Sequence, residues 1–186
     1  MRKIDWNNVN EANDFPTPSP GGYVAAIMNV RDVEEKEYLR IEWDFVDGDL
    51  RGQNTETFHR AGFWPYPLIR SYKDSALPFF KAFKTALENS NRGYRFNEDN
   101  LMDMRRKYIG VVLAEEEYVA KDGAVKKRLY VANTRSVDAI KKGDYKVPEL
   151  KKLPVTTVNS YGDAGGNAFS DLPDDGPLPW DDPLPL

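Results

Sequence analysis

The stretch that decides the fold is Tyr38-Leu39-Arg40-Ile41-Glu42-Trp43-Asp44-Phe45, in which polar and apolar residues alternate. Because successive side chains of a strand point to opposite faces, this alternation predicts a β-strand over residues 36–46 with one buried face. The odd-numbered residues, Trp43 and Phe45 among them, are expected in the core. The even-numbered residues, Tyr38 and Arg40 among them, are expected on the outer face.

Four further strands and one main helix are predicted around this stretch. The strands are expected at residues 23–30, 54–60, 108–118 and 125–133. The last two give the strongest hairpin signal, because Asp122-Gly123 supplies a turn between them. A helix is expected over residues 75–89, where apolar residues recur at helical spacing: Leu77, Phe80, Phe83 and Leu87.

The predicted order is three strands, a helix, two strands and a short helical piece at residues 137–142 that ends at Gly143. It indicates an all-β fold: a five-stranded antiparallel β-barrel with one helix between strands 3 and 4. That connectivity is the one found in OB-fold barrels. The patterns alone also fit other small barrels.

The net charge of −4 averages two unlike regions. Residues 155–186 contain six aspartates and no Lys, Arg or Glu, and removing those six leaves 26 basic and 24 acidic residues elsewhere. We therefore divide the chain into an N-terminal arm over residues 1–21, a weakly basic domain over residues 22–154 and an acidic tail over residues 155–186. The tail is rich in Gly, Asp and Pro, a composition typical of disordered segments.

The cysteine count and the hydropathy limit the functional classes. With no cysteine, the chain has no disulfide, thiolate nucleophile or zinc–thiolate site, which fits a cytoplasmic protein. No apolar run approaches the length of a membrane span, so no membrane partner is expected.

Basic and aromatic side chains are interleaved on the outer faces of the predicted strands. Single-stranded nucleic acid is bound by such surfaces, because cations contact the phosphates while rings stack on the bases. The residues expected to contact DNA are Tyr38, Arg40, Arg60, Trp64, Tyr66, Tyr108, Lys121, Lys126, Arg128 and Tyr130. The same residue types also occur on ordinary strand surfaces, and Trp64 fits a plug at the barrel end equally well.

No pattern indicates catalysis or a metal site. His59 is the only histidine, and no Gly-x-Ser-x-Gly motif occurs. The three glutamates at residues 115–117 alternate between strand faces and do not converge on one ion. We therefore expect no enzymatic activity, no cofactor and no metal.

The end of the tail alternates acidic with apolar residues, which suits capture by a basic-rimmed hydrophobic pocket on a protein partner. The residues expected to make that contact are Asp174, Asp175, Trp180, Asp181, Asp182, Leu184 and Leu186.

A β-barrel domain followed by a Gly- and Asp-rich segment and a short acidic, apolar terminus resembles the single-stranded DNA-binding proteins of bacteria and tailed phages. The body is most similar to phage-encoded versions at residues 37–45 with Asp47-Gly48, and at residues 108–113 with the turn at Lys121-Asp122-Gly123. The resemblance implies an OB-fold that binds single strands without sequence specificity in DNA replication and recombination, and a tail that recruits proteins of those pathways.

Two alternatives remain open. One is a protein–protein adaptor that has the barrel and the tail but binds no nucleic acid. The other is a magnesium-dependent nuclease built on carboxylates alone. Oligomeric state is also open, and a homodimer is compatible with an exposed strand edge.

Overall fold

The computed structural model describes Lys3, Asp5 and residues 16–153 of the chain. Most of the predicted arm and the whole acidic tail, with the contacts expected of it, lie outside the described residues. Among the helices of the described part, none combines the length and the apolar character needed to cross a membrane.

Five antiparallel strands form one open sheet in the order β3-β2-β1-β4-β5. The strands are β1 (Gly21–Val33), β2 (Tyr38–Phe45), β3 (Leu68–Ser71), β4 (Tyr108–Val119) and β5 (Val125–Arg135). The central strand β1 pairs with β2 from Ala25↔Phe45 to Val33↔Tyr38 and with β4 from Gly21↔Leu113 to Ala26↔Tyr108. The sheet-rich fold class predicted from the alternating pattern is confirmed at this level.

Three α-helices accompany the sheet within the described residues; the predicted main helix and the short piece after the last strand are present, and the first helix was not predicted. They are α1 (Gln53–Ala61), α2 (Leu77–Ser90) and α3 (Val137–Lys141). Short 3-10 helices lie at Glu34–Lys36, Gly48–Leu50, Asp74–Ala76 and Leu101–Met104. In chain order, α1 separates β2 from β3, α2 separates β3 from β4, and α3 follows β5.

Residues 54–60, which we predicted as the third strand, form α1 instead. The Asp44 carboxylate accepts hydrogen bonds from the backbone amides of Asn54 and Thr55, each at 3.0 Å, and from the Thr55 hydroxyl. A carboxylate at a helix N-terminus satisfies free amides and opposes the positive end of the helix dipole. This cap comes from β2, so the local pattern of β-branched threonines gave no sign of it.

The third strand is β3, which pairs with β2 from Tyr38↔Ser71 to Ile41↔Leu68. Its four residues follow Pro65 and Pro67, and a segment that short carries too little alternation to be recognised.

The core lies between the inner face of the sheet and α2. Ile41, Trp43 and Leu113 of the strands are fully buried against Phe83 and Leu87 of α2. The expectation that Leu39, Ile41, Trp43 and Phe45 share the buried face is confirmed. Leu77 and Phe79 of the predicted helical stripe are instead 46% and 70% exposed, because contact with the core begins only at Phe80.

Candidate functional site

A groove of about 450 Å³ opens between β2, β3, the β4–β5 hairpin, α1 and residues 62–67. From β2 it is lined by Tyr38 and Arg40, and from β5 by Arg128 and Tyr130. Tyr66 lines it from the segment that joins α1 to β3. These five residues were predicted as DNA contacts from the sequence, and the fold brings them to one place.

The register of the hairpin explains how the β5 residues reach the groove. Tyr130 pairs with Ala114 and Arg128 pairs with Glu116. Residues separated by two positions on a strand share a face, so the two β5 side chains project together. On β2, Tyr38 and Arg40 share a face for the same reason. The sheet curls β5 toward β3 and β2, so the pair of side chains from β2 and the pair from β5 lie on walls of one groove.

Tyr66 is positioned by its backbone as well as by its ring. Its φ of 51° is in the left-handed region, which a residue with a Cβ rarely adopts. Its carbonyl accepts a hydrogen bond of 2.7 Å from the indole Nε1 of Trp43. Burial, followed by the charge interaction with Tyr23, raises the pKa of the Tyr66 phenol. The core tryptophan thus fixes the loop that carries this ring.

Acidic neighbours partly neutralise the positive charge of the cations in the groove. Arg128 Nε donates to Glu116 Oε1 at 2.8 Å, and its Cζ lies 5.2 Å from the centroid of the Tyr118 ring. Lys151 Nζ lies 3.6 Å from the other Glu116 oxygen. Arg40 Nε lies 3.9 Å from a Glu42 oxygen. These contacts orient the guanidinium groups but leave both in the lining of the groove.

Two further polar groups in the lining bear on what the groove can bind. Burial, followed by the charge of Glu116, raises the pKa of the Tyr130 phenol, so its hydroxyl remains a neutral donor well above neutral pH. Gln53 Oε1 is buried and has no hydrogen-bond partner among the described residues. An unsatisfied buried acceptor is costly unless a ligand or water supplies a donor.

Sequence reasoning missed Gln53, Thr57, Ile69 and Glu116 as lining residues. Thr57 was hidden because residues 54–60 were taken for a strand, and Gln53 directly precedes that segment. Glu116 was considered only as one of three glutamates that do not converge on an ion, and its side chain is 14% exposed. Its position opposite Arg128 in the predicted hairpin was the one signal that pointed to an ion pair.

Trp64 and Tyr108 are placed away from this groove. Trp64 is buried, and its Nε1 donates to the Trp43 carbonyl at 2.9 Å, so its ring is packed in the protein interior. Tyr108 is 49% exposed and lines two other concavities. Between Tyr108 and the groove, the outer face of β4 is covered at Gly110, where a Cβ would lie 2.3 Å from Ile140 of α3.

The remaining predicted contacts are exposed and do not line the groove. Arg60 lies near the end of α1, and Lys121 lies in the turn of the β4–β5 hairpin. Lys126 forms a 2.8 Å ion pair with Asp122 of that turn.

No cluster of three or more His, Asp or Glu side chains suited to a metal ion occurs in the part of the chain that the structure describes. The groove offers rings, guanidinium groups and amide or hydroxyl groups, which together can hold planar groups joined by anionic links. Comparison with family models and with curated proteins finds no match to this chain.

Proposed function

We propose that the protein binds single-stranded DNA in the groove, without sequence specificity, during DNA replication and recombination of the phage type. The acidic tail then recruits replication or recombination proteins. The observation that carries the proposal is that Tyr38, Tyr130 and Arg128 line one groove. Rings of this kind stack on unpaired bases, and the guanidinium groups contact the phosphates between them.

The strand order supports an OB-type barrel for this chain. In the order β3-β2-β1-β4-β5 only pairing between β3 and β5 is missing for closure. The two strands approach each other at that point, since Arg70 of β3 donates to the Thr134 hydroxyl of β5 at 3.5 Å. OB-folds are partly open five-stranded barrels that bind oligonucleotides on the face of strands 2 and 3 and at the loop between strands 4 and 5. The groove uses β2, β3 and the β4–β5 hairpin.

The groove favours single strands for a physical reason. Each base that stacks on a protein ring contributes about 1–3 kcal/mol, and a duplex base is already stacked on its neighbours. The free acceptor of Gln53 adds a site for a base amino or imino group, which a duplex base uses for pairing.

The test is binding of labelled oligo-dT and of a duplex of equal length to the full chain over a salt series. We expect preference for oligo-dT by at least tenfold. We also expect a slope of log affinity against log salt of about −0.7 for each neutralised phosphate. Equal affinity for duplex argues against stacking, and no binding at low salt favours the adaptor alternative. Shortening of the oligonucleotide on addition of magnesium favours the nuclease alternative.

A further inference from the structure

A second concavity, of about 600 Å³, lies at the opposite end of β4 from the groove. It is formed where the end of α2 meets residues 103–108. Four cations line it, Arg92, Arg95, Arg106 and Lys107, against one acidic residue, Asp103. We name this surface the basic concavity.

The cations of the basic concavity do not form ion pairs with acidic residues within the described structure. None of the four forms a salt bridge with any residue between 16 and 153, or with Lys3 or Asp5. Arg95 donates only to the carbonyl of its neighbour Tyr94, and Lys107 Nζ lies 5.1 Å from the centroid of the Tyr94 ring. Four cations against one acidic residue give this surface an excess of positive charge, which favours the binding of a polyanion.

A buried donor in the same place is also unsatisfied. Tyr94 lines the basic concavity, and its hydroxyl is buried without a hydrogen-bond partner among the described residues. Burial, followed by the charges of Asp103 and Glu88, raises the pKa of this phenol, which keeps its proton available for donation. Phosphate oxygens are strong acceptors for the guanidinium groups that line the same concavity.

Arg106 occupies a backbone conformation that does not suit it. Its φ is 64°, in the left-handed region that favours glycine. Its amide donates to the Ile27 carbonyl at 2.7 Å, and Ile27 donates to the Lys107 carbonyl at 2.9 Å. Two backbone hydrogen bonds from β1 therefore fix this turn, in a conformation that glycine would adopt with less strain.

We infer that the basic concavity is a second binding site for the phosphodiester backbone of single-stranded DNA, distinct from the groove. The inference rests on the proposed function, because it assigns a further contact to the same strand. Tyr108 at the concavity and Glu116 at the groove are eight residues apart on β4, about 27 Å at 3.4 Å per residue. A short strand fills one site, and a long strand reaches both.

The acidic tail is the other polyanion that this chain offers, and the lining of the concavity argues against it. The tail ends in Trp180, Leu184 and Leu186, which need an apolar pocket. The concavity presents cations, Ser90, Asn91 and two tyrosines, a polar set that matches a sugar–phosphate chain.

The test compares dT4, which is too short to span both sites, with dT35 in full-length protein. The concavity variant carries Arg92→Ser, Arg95→Ser and Lys107→Ser. The charge-matched control carries Lys81→Ser, Lys142→Ser and Lys146→Ser at exposed lysines outside both sites. We expect the concavity variant to lose at least tenfold in affinity for dT35 and about 2 in salt slope, at about 0.7 for each lost contact. Its affinity for dT4 should stay within threefold, and the control should keep the wild-type salt slope.

Equal losses in the concavity variant and the control would overturn the inference, because bulk charge would then explain both. A second experiment replaces the six tail aspartates with asparagine. If this change strengthens dT35 binding in the wild type but not in the concavity variant, the tail occupies the concavity and the inference fails. Failure of the proposed function is a different result: neither dT4 nor dT35 would bind the wild-type protein.

The variant Arg106→Gly distinguishes an effect on DNA binding from an effect on stability at this site. Glycine accepts the left-handed backbone, so we expect the melting temperature to stay the same or rise. The affinity for dT35 should fall at least threefold, while the affinity for dT4 stays unchanged. Unchanged dT35 affinity and salt slope in this variant would contradict a role for Arg106 in binding.

Discussion

The indole Nε1 of Trp43 donates a 2.7 Å hydrogen bond to the carbonyl of Tyr66, and this bond joins the core to the groove. Trp43 is fully buried on the inner face of β2, whereas Tyr66 lines the groove. The packing of the core therefore sets the position of an aromatic ring in the proposed binding site.

Trp43→Phe should weaken both the fold and DNA binding. The Tyr66 carbonyl would lose its donor and a cavity would form, which together lower the free energy of unfolding by about 2–4 kcal/mol. Urea denaturation measures that loss, and oligo-dT titration under conditions where the variant is folded measures binding. Trp64→Phe is the matched control, because it removes a 2.9 Å bond to the Trp43 carbonyl without freeing Tyr66. Equal oligo-dT affinities in the two variants would contradict the role assigned to the Trp43–Tyr66 bond.

Tyr66→Gly and Tyr66→Ala should bind oligo-dT equally weakly but differ in stability. Both remove the ring, while only glycine suits the φ of 51°. We expect the glycine variant to be more stable than the alanine variant by about 1 kcal/mol. Thermal and urea denaturation of the two proteins checks the order. An alanine variant more stable than the glycine variant would show that the backbone at this position is not left-handed in solution.

Asp44→Asn should destabilise α1. The asparagine amide cannot accept hydrogen bonds on its nitrogen, so the cap over Asn54 and Thr55 is broken. We expect a loss of about 2–3 kcal/mol in the free energy of unfolding, as for hydrogen bonds to a charged group. Hydrogen exchange of the α1 amides should rise, and Asp47→Asn, at an exposed aspartate of the following loop, should have little effect. Slow exchange in α1 of the Asp44 variant would contradict the capping role.

Ionisation of the Tyr72 phenol should lower the free energy of unfolding as the pH rises from about 10 to about 12. Partial burial and the 2.9 Å hydrogen bond that its hydroxyl donates to Asp32 raise its pKa to about 12. The unfolded phenol ionises near its ordinary pKa of about 10. Within this window the unfolded chain binds fewer protons than the folded chain, so the free energy of unfolding decreases with pH. Urea denaturation at pH 10 and pH 11 measures this decrease in the free energy of unfolding. The decrease should be smaller for Tyr72→Phe than for the wild type, and an identical decrease would contradict the raised pKa.

The features that sequence predicted best are those whose cause is local. Alternation over β2 placed Leu39 and Trp43 in the core, and the Asp122-Gly123 turn located the β4–β5 hairpin. The groove residues of those strands, Tyr38 and Arg128 among them, follow from the same alternation.

The features that sequence missed depend on contacts between distant residues. α1 forms because Asp44, ten positions before Asn54, caps it, and no pattern within residues 54–60 reveals that. Trp64 is buried because its indole reaches the Trp43 carbonyl, which a loop tryptophan does not show in advance. The basic concavity joins residues 92–95 to residues 106–107 through the tertiary fold, so neither segment indicated a site by itself.

The most direct measurement of the central claim is the affinity of oligo-dT for Tyr130→Ala beside Tyr130→Phe. The alanine change removes a ring from the groove, and the phenylalanine change removes only its hydroxyl. Phe79→Ala is the control, since Phe79 is an aromatic residue 70% exposed on α2 and outside the groove lining. Base stacking in the groove predicts a loss of about 5- to 150-fold for Tyr130→Ala, at about 1–3 kcal/mol per stacked base. It predicts affinity close to wild type for the other two variants. Wild-type affinity in Tyr130→Ala would show that bases do not stack in this groove.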